Sequence, residues 1–410
     1  MKNIAVIGAG IVGICSAYFL QKSGYKVTLF DHKEPGSMTS SGHACTFADY
    51  ACIPVNSPTI FTDLPSMFLK QDGPLAIDFG YILKNLPWAF SFLQNCKKNR
   101  VEYIATSLAN FLSHSRLSYD QLFEEVDVAQ YINNNETLYL YKTQKEYQAA
   151  KYSINLRKKN GVKIKELNAA EIYDMEPNIA PIYFCGLVFE GSRHTINPIK
   201  VSNKIFESFL QKGGTFLNKK ITAISNTESV IKIISDNNTF DFDNIVISAG
   251  AWSKELALMI GDKFPLNTER GYHVLFDNEK KLISRPVGWS QSGFYIIQIE
   301  EGIRAAGTVE IAGLYKKPNQ KRLIMIEREA RILLPALGKI KSTWLGFRPT
   351  LPDAMPIIGQ SEKNKNVFYA FGHQHIGWTL GAVTGKVIME LVQDRKPNFD
   401  ISAFSPNRFS

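Results

Sequence analysis

Residues 2–31 read KNIAVIGAGIVGICSAYFLQKSGYKVTLFD and decide the fold. The apolar run Ile4-Ala5-Val6-Ile7 reads as a buried strand, followed directly by Gly8-Ala9-Gly10-Ile11-Val12-Gly13. Ile14, Ala17, Tyr18 and Leu20 mark the apolar side of a helix that stops at Gly24, and Lys26 to Phe30 form a second strand ending in Asp31. The spacing predicts a complete βαβ unit. Glycines 8, 10 and 13 lack the Cβ that would block a tight turn, the approach of backbone to a pyrophosphate, and close packing of helix on strand. The helix N-terminus favours an anion through its free N–H groups and its dipole. Asp31 is placed to accept hydrogen bonds from a ribose.

Working outward, a chain of 410 residues exceeds the roughly 250–300 at which a single core stops growing, so two domains, or one with a lobe, are expected. With 45% hydrophobic and 21% charged residues the composition is that of an ordinary globular protein. The formal net charge is +9, but Lys and Arg are spread along the chain, which disfavours nucleic acid and leaves a peripheral contact with an anionic membrane surface open. Lys97-Lys98, Arg157-Lys158-Lys159 and Lys316-Lys317 read as solvated faces. Cys15, Cys45, Cys52, Cys96 and Cys185 are odd in number and form no CxxC, so neither a disulfide framework nor a metal site is indicated. The sequence starts almost at once with a core strand and holds no apolar run of about 18 residues, so a cytoplasmic protein without a transmembrane helix is expected.

After Asp31 the polar loop from Glu34 to Ala44 carries small hydroxyl residues that could lie close to a bound cofactor. Prolines break the pattern from about Ala51 to Gly80, as in a crossing between domains. The segment from Gly80 to Val126 is helical and rich in Leu, Phe and Tyr, and its stripe Ile82, Leu83, Leu86, Trp88, Phe90, Phe92, Leu93 reads as core. Asn197-Pro198 opens a further helix, Ile221 to Ser225 and Val230 to Ser235 resemble an antiparallel meander, and Ile245 to Gly250 is a buried strand returning to the first domain. Strands at Tyr272 to Phe276, Phe294 to Ile299 and Ile303 to Thr308 form the sheet of a second lobe, with a helix over Asn319 to Leu334. The expected fold is α/β, α+β overall: a Rossmann-like dinucleotide-binding domain with a second, mixed-sheet substrate domain. The division is 1–50, 195–255 and 340–410 for the first, and 51–194 and 256–339 for the second.

The stretches GAGIVG with Asp31, NIVISAGAWS (244–253), RGYHV (270–274), GFRPTLPDAMPIIG (346–359) and GHQHIGWTLG (372–381) stand in the order seen in the D-amino-acid oxidase superfamily of flavoproteins. Within it the chain resembles most the D-amino-acid dehydrogenase small-subunit group, with Gly73-Pro74-Leu75-Ala76-Ile77 and Trp378-Thr379 adding to the likeness. The resemblance implies FAD bound in extended form and an amino acid stacked on its ring, with hydride transfer from the amine-bearing carbon to flavin N5. Gly8, Gly10, Ile11, Val12, Gly13, Asp31 and His32 would hold the adenylate end. Ser40, Ser41 and His43 would lie in the crossing loop, and Ala249, Gly250, Trp252 and Gly346 along the cofactor. Gly372, His373, His375, Ile376, Gly377, Trp378 and Thr379 would surround the flavin.

Arg348, held extended before Pro349, matches the superfamily's carboxylate clamp, because a guanidinium fork fits a carboxylate bidentately. Its alternative is a structural pairing with Asp353. Tyr295 resembles the substrate-contacting tyrosine of related oxidases, Tyr272 is a second candidate, and His375 could shuttle protons or tune the flavin. FAD is expected to be noncovalent. A covalent link through His43 is the alternative, since relatives carry such a link from a histidine at a similar place.

The leading function is therefore oxidative deamination of a D-amino acid or a cyclic imino acid such as a proline derivative, with electrons passed to a quinone or other acceptor. A same-fold alternative is an oxidase of glycine, sarcosine or another N-methyl amino acid that releases hydrogen peroxide. An alternative of another class is a flavoprotein subunit of a complex or an RNA-modifying flavoprotein. Oligomeric state is not indicated, and the expected location is the cytoplasm, with the inner face of the cell membrane open as a peripheral site.

Overall fold

The computed structural model describes residues 2–58, 73, 75–226, 230–236, 238–290 and 292–409. The βαβ unit forms as its glycine and apolar pattern requires: strand Asn3–Ile7, helix Ile11–Lys22, strand Lys26–Asp31. These strands belong to a six-stranded sheet in the order Thr215–Asn218, Lys26–Asp31, Asn3–Ile7, Asn244–Ile247, Val367–Phe371, Ile357–Gln360. Its first five strands run parallel and Ile357–Gln360 closes the edge antiparallel. Central parallel strands are covered on both faces and so read as unbroken apolar runs. On one face the helices Ile11–Lys22, Pro198–Gln211 and Gly377–Val392 bury Val6, Ile14, Leu20, Val246 and Val383 in one core. On the other, Ala5, Ile7, Phe30 and Ile245 meet Ile231, Ile233 and Phe242 of the expected meander, Ala223–Asn226, Ile231–Ser235 and Asn238–Phe242.

A second, mixed sheet of nine strands contains the expected strands around 272–276, 294–299 and 303–308, within Asn267–Phe276, Phe294–Ile299 and Gly302–Ile311. Helix Gln320–Leu333 covers it, burying Leu323, Ile326 and Ala330 against Val274, Phe276 and Ile303. Ile340–Thr350 also lies in this sheet, because it pairs antiparallel with Asn267–Phe276 along its length. The sequence division put residues 340–350 with the first domain, whereas pairing builds the strand that carries Arg348 into the second sheet.

Helices Leu86–Asn95, Lys98–Ser113 and Ser115–Phe123 fill the region read as helical. Of the aromatic stripe read as core only Trp88 is buried; Leu86 and Phe90 face outward, since the ten-residue helix turns one narrow stripe inward, and Leu83 ends the separate, exposed helix Phe79–Leu83. The crossing expected over Ala51 to Gly80 includes residues 59–72 and Pro74, which lie outside the described residues. No helix of the described residues is long and apolar enough to cross a membrane, and all five cysteines are free.

Candidate active site

One cavity of about 470 Å³ runs from the βαβ turn to the second sheet. At the near end Gly8 has φ +106°, and a Cβ there would stand 2.5 Å from the Ser248 carbonyl. A Cβ on Gly13 would stand 1.8 Å from the Gly8 carbonyl, so the helix rests directly on the turn. Asp31 Oδ2 accepts from the Ala9 N–H at 2.7 Å and Oδ1 from Lys33 N–H at 3.0 Å, with His32 Nδ1 3.3 Å away. The Ile11 N–H, first of the helix, donates to Ser40 Oγ at 3.0 Å. The polar loop after Asp31 thus returns over the helix N-terminus.

That loop is fixed at its other side by the second sheet. Thr39 Oγ1 donates to the Phe347 carbonyl at 3.1 Å, and Arg304 Nη1 donates to the Ser41 and His43 carbonyls at 2.8 and 3.1 Å. His43 sits in the cavity wall with its ring 4.5 Å from that of Trp378. Its Nδ1 accepts from the Cys45 N–H at 2.9 Å, which puts the proton of the neutral ring on Nε2. Burial, aided by Arg304 and His273, holds this imidazole down to about 3. His43 Nε2 and Trp378 Nε1 are both buried without a partner among the described residues. Two orphaned donors on the wall of a cavity that begins at a phosphate-type turn fit a polar, flat ring system. The donor set and the glycine cradle therefore suit FAD.

At the far end Arg348 and Glu269 are direct partners across the antiparallel pair Asn267–Phe276 and Ile340–Thr350. Gly271, two residues on and on the same face, leaves the space that the guanidinium occupies. Arg348 Nη1 donates to the Thr308 carbonyl at 2.8 Å. Thr308 has φ +59° beside a register shift in the strand pair, and such a bulge re-aims a backbone group at a site. Burial raises the Glu269 carboxyl above its ordinary range, against the pull of Arg348 and of the Gln374 amide, which donates to Oε1 at 3.2 Å. The alternative pairing of Arg348 with Asp353 does not occur: Arg408 Nε holds Asp353 Oδ2 at 2.8 Å.

The cavity brings together Gly8, Gly10, Ile11, Val12, Asp31, His32, Ser40, His43, Ala249, Gly250, Trp252, Gly346, His373, Gly377 and Trp378, together with Arg348, Tyr295, Tyr272 and His375. His375 stands out into it, and enclosure with the Arg348 and Arg157 charges lowers its imidazole to about 4. His373 forms part of the wall but is almost wholly buried, with Nε2 3.0 Å from Thr384 Oγ1. Tyr272 reaches the wall, but its hydroxyl donates to Glu310 Oε2 at 2.5 Å and accepts from the Asn319 N–H at 3.1 Å, so it serves the sheet interior. Gly13, Ser41, Gly372, Ile376 and Thr379 do not line the cavity. They support its wall instead: Ser41 Oγ donates within its loop, Thr379 Oγ1 accepts from the Ala48 N–H at 2.9 Å, and Ile376 packs in the core.

Glu269, Gly271, Gln374, Trp344, Tyr50 and Arg157 also line the cavity and were not singled out from the sequence. A glycine inside a strand pattern marks close approach of another group, and Gly271 carried that signal. Arg157 corrects the solvated reading of its basic cluster, since helix geometry turns Lys158 and Lys159 outward and Arg157 toward Tyr50.

The family model described as "FAD dependent oxidoreductase" (DAO) matches residues 3–391. A D-amino-acid oxidase of Bradyrhizobium diazoefficiens is 34% identical, covering 100% of this chain and 99% of its own. A D-amino acid dehydrogenase of Vibrio vulnificus is 28% identical with 96% of each chain covered. Among solved structures, glycine oxidase from Geobacillus kaustophilus superimposes with a TM-score of 0.75 at 19% identity, over 100% of this chain and 99% of that one. The family match and the 34% identity run essentially the length of the molecule, and the protein belongs to the DAO family of FAD-dependent oxidoreductases.

Proposed function

We propose that the protein oxidises a D-amino acid, or a cyclic imino acid, to the corresponding imine, which water then hydrolyses to an oxo acid. The observation that carries this reading is the single cavity joining the Gly8–Asp31 cradle to the Arg348 guanidinium. Bound FAD would supply the two-electron acceptor. Gly8, Gly10, Asp31 and Ser40 would hold its adenylate and phosphates, and His43 with Trp378 would face the ring. Arg348 takes the substrate carboxylate bidentately. The Thr308 carbonyl and Glu269 keep the guanidinium aimed, and Tyr295 closes the wall beside it. His375, held neutral, neither repels a cationic amine nor competes for the carboxylate.

Electrons pass on to a quinone or another electron-transfer acceptor, consistent with the dehydrogenase relatives. The 34% identity to a protein named an oxidase favours a second reading, transfer to oxygen with release of hydrogen peroxide. We infer a cytoplasmic protein, open to peripheral contact with a membrane that holds the quinone. Anaerobic bleaching of the flavin by a panel of D-amino acids, hydroxyprolines and N-methyl amino acids tests the substrate class. Peroxide yield in air against reduction of a quinone separates the two acceptors.

A further inference from the structure

We propose that the cavity holds, besides Arg348, a second anion subsite, built from Arg157, Tyr50 and Tyr295, and that the preferred substrate is an amino dicarboxylic acid whose side-chain carboxylate it binds. The inference rests on the reading that Arg348 takes the α-carboxylate.

Arg157 lies on helix Gln144–Lys159 and lines the cavity. Its Nε donates to the Tyr50 carbonyl at 3.2 Å, and its guanidinium carbon is 5.7 Å from the centre of the Phe189 ring. Phe189 in turn stacks on Tyr50 with centroids 3.9 Å apart and planes within 3°. The guanidinium is therefore oriented by a carbonyl and an aromatic face, yet no carboxylate of the described residues pairs with it. Its neighbour Lys158, by contrast, meets Glu166 at 2.8 Å.

Tyr50 is only 5% exposed, and its hydroxyl lies buried beside those of Tyr295, Thr46 and Thr137. Tyr295 lines the same wall, its ring 5.8 Å from that of Tyr139 across Gly288, where a Cβ would clash with both rings. A guanidinium and the Tyr50–Tyr295 hydroxyl pair thus meet where no carboxylate of the described residues stands. An apolar side chain there would leave the charge uncompensated. A carboxylate accepts from the guanidinium and from the free proton of the hydroxyl pair. Arg157 and Arg348 line the same cavity, and His375 of its wall feels the charge of both.

The test uses the FAD-loaded enzyme. kcat/KM is compared for D-glutamate against D-glutamine and D-aspartate against D-asparagine, with D-phenylalanine as the apolar arm. Binding of glutarate against butyrate is followed by the shift of the flavin absorption spectrum, which needs no turnover. A charge-assisted contact predicts a preference of about tenfold to hundredfold for the acid over its amide. In Arg157→Met that ratio falls at least about tenfold, and in Tyr50→Phe, which keeps the ring, by less. Glutarate binds more tightly than butyrate, and the difference disappears in Arg157→Met. Equal use of acid and amide, best turnover of D-phenylalanine, or an unchanged ratio in Arg157→Met overturns the subsite. If no amino acid bleaches the flavin but the glutarate preference still depends on Arg157, the subsite stands and the proposed function fails. Oxidation of amino acids with no preference for the acids overturns the subsite and leaves the proposed function standing.

Discussion

Gly271 and Arg348 lie on adjacent antiparallel strands, and a Cβ on Gly271 would come within 2.5 Å of Arg348 Nη2. The bare position lets the guanidinium lie flat over the strand, where it donates to the Thr308 carbonyl beside its register partner Glu269. In Gly271→Ala the added methyl meets the far end of a flexible side chain, so the fold yields by moving Arg348. The expected result is a KM for the amino acid raised by about tenfold, the equivalent of one misaligned charge-assisted hydrogen bond. The same variant should lose less than about 1 kcal/mol of stability, since the clash is relieved at a side-chain tip. Steady-state kinetics beside urea unfolding measure both.

Tyr272 makes the opposite case. Its hydroxyl bridges Glu310 and the Asn319 N–H at the start of helix Gln320–Leu333, and Glu310 also faces Arg270 Nη1 at 3.2 Å. Tyr272→Phe keeps the ring and leaves that buried carboxylate short of a donor. It should cost about 1–3 kcal/mol of stability, read by urea unfolding. A large rise in KM without loss of stability would return Tyr272 to the substrate side of the wall.

Acid should weaken the fold through its buried histidines. Burial lowers His373 from 6.5 to about 3, so between those values the unfolded chain carries a proton that the folded chain refuses. Stability is independent of this group above pH 6.5 and falls as pH drops below it. At pH 5 the loss from His373 alone is about 2 kcal/mol relative to pH 7. His43 and His273, both lowered to about 3, add to it. Unfolding free energies of wild type and His373→Asn at the two pH values should show a smaller acid loss in the variant; equal losses would mean that His373 titrates in the folded state.

The near end of the cavity was legible in the sequence because its determinants are local. Gly8, Gly13 and Asp31 act within one βαβ unit, where turn chemistry and apolar period leave a direct mark. Arg348 was legible through its place before Pro349 and its surrounding motif. Glu269 and Gln374 were not, because they become neighbours of Arg348 only through pairing of strands from distant parts of the chain and through a left-handed turn at Gln374, φ +50°. Arg157 was hidden by its company: a basic run reads as solvated, and only the fold shows which member turns inward. The same limit misplaced residues 340–350, since an apolar strand does not announce which sheet will accept its edge.

The central claim is that one cavity holds FAD at the Gly8–Asp31 end and an amino acid carboxylate on Arg348 at the other. The most direct measurement is anaerobic flavin reduction by D-amino acids over a range of concentrations, in wild type and in Arg348→Met, with FAD content determined for both. Both proteins should retain FAD, and D-amino acids should bleach the wild-type flavin. The substrate concentration for half-maximal rate should rise at least about tenfold in the variant, as loss of a bidentate charged contact requires. Failure of any amino acid to bleach the wild-type flavin, or an unchanged half-maximal concentration in Arg348→Met, would contradict it.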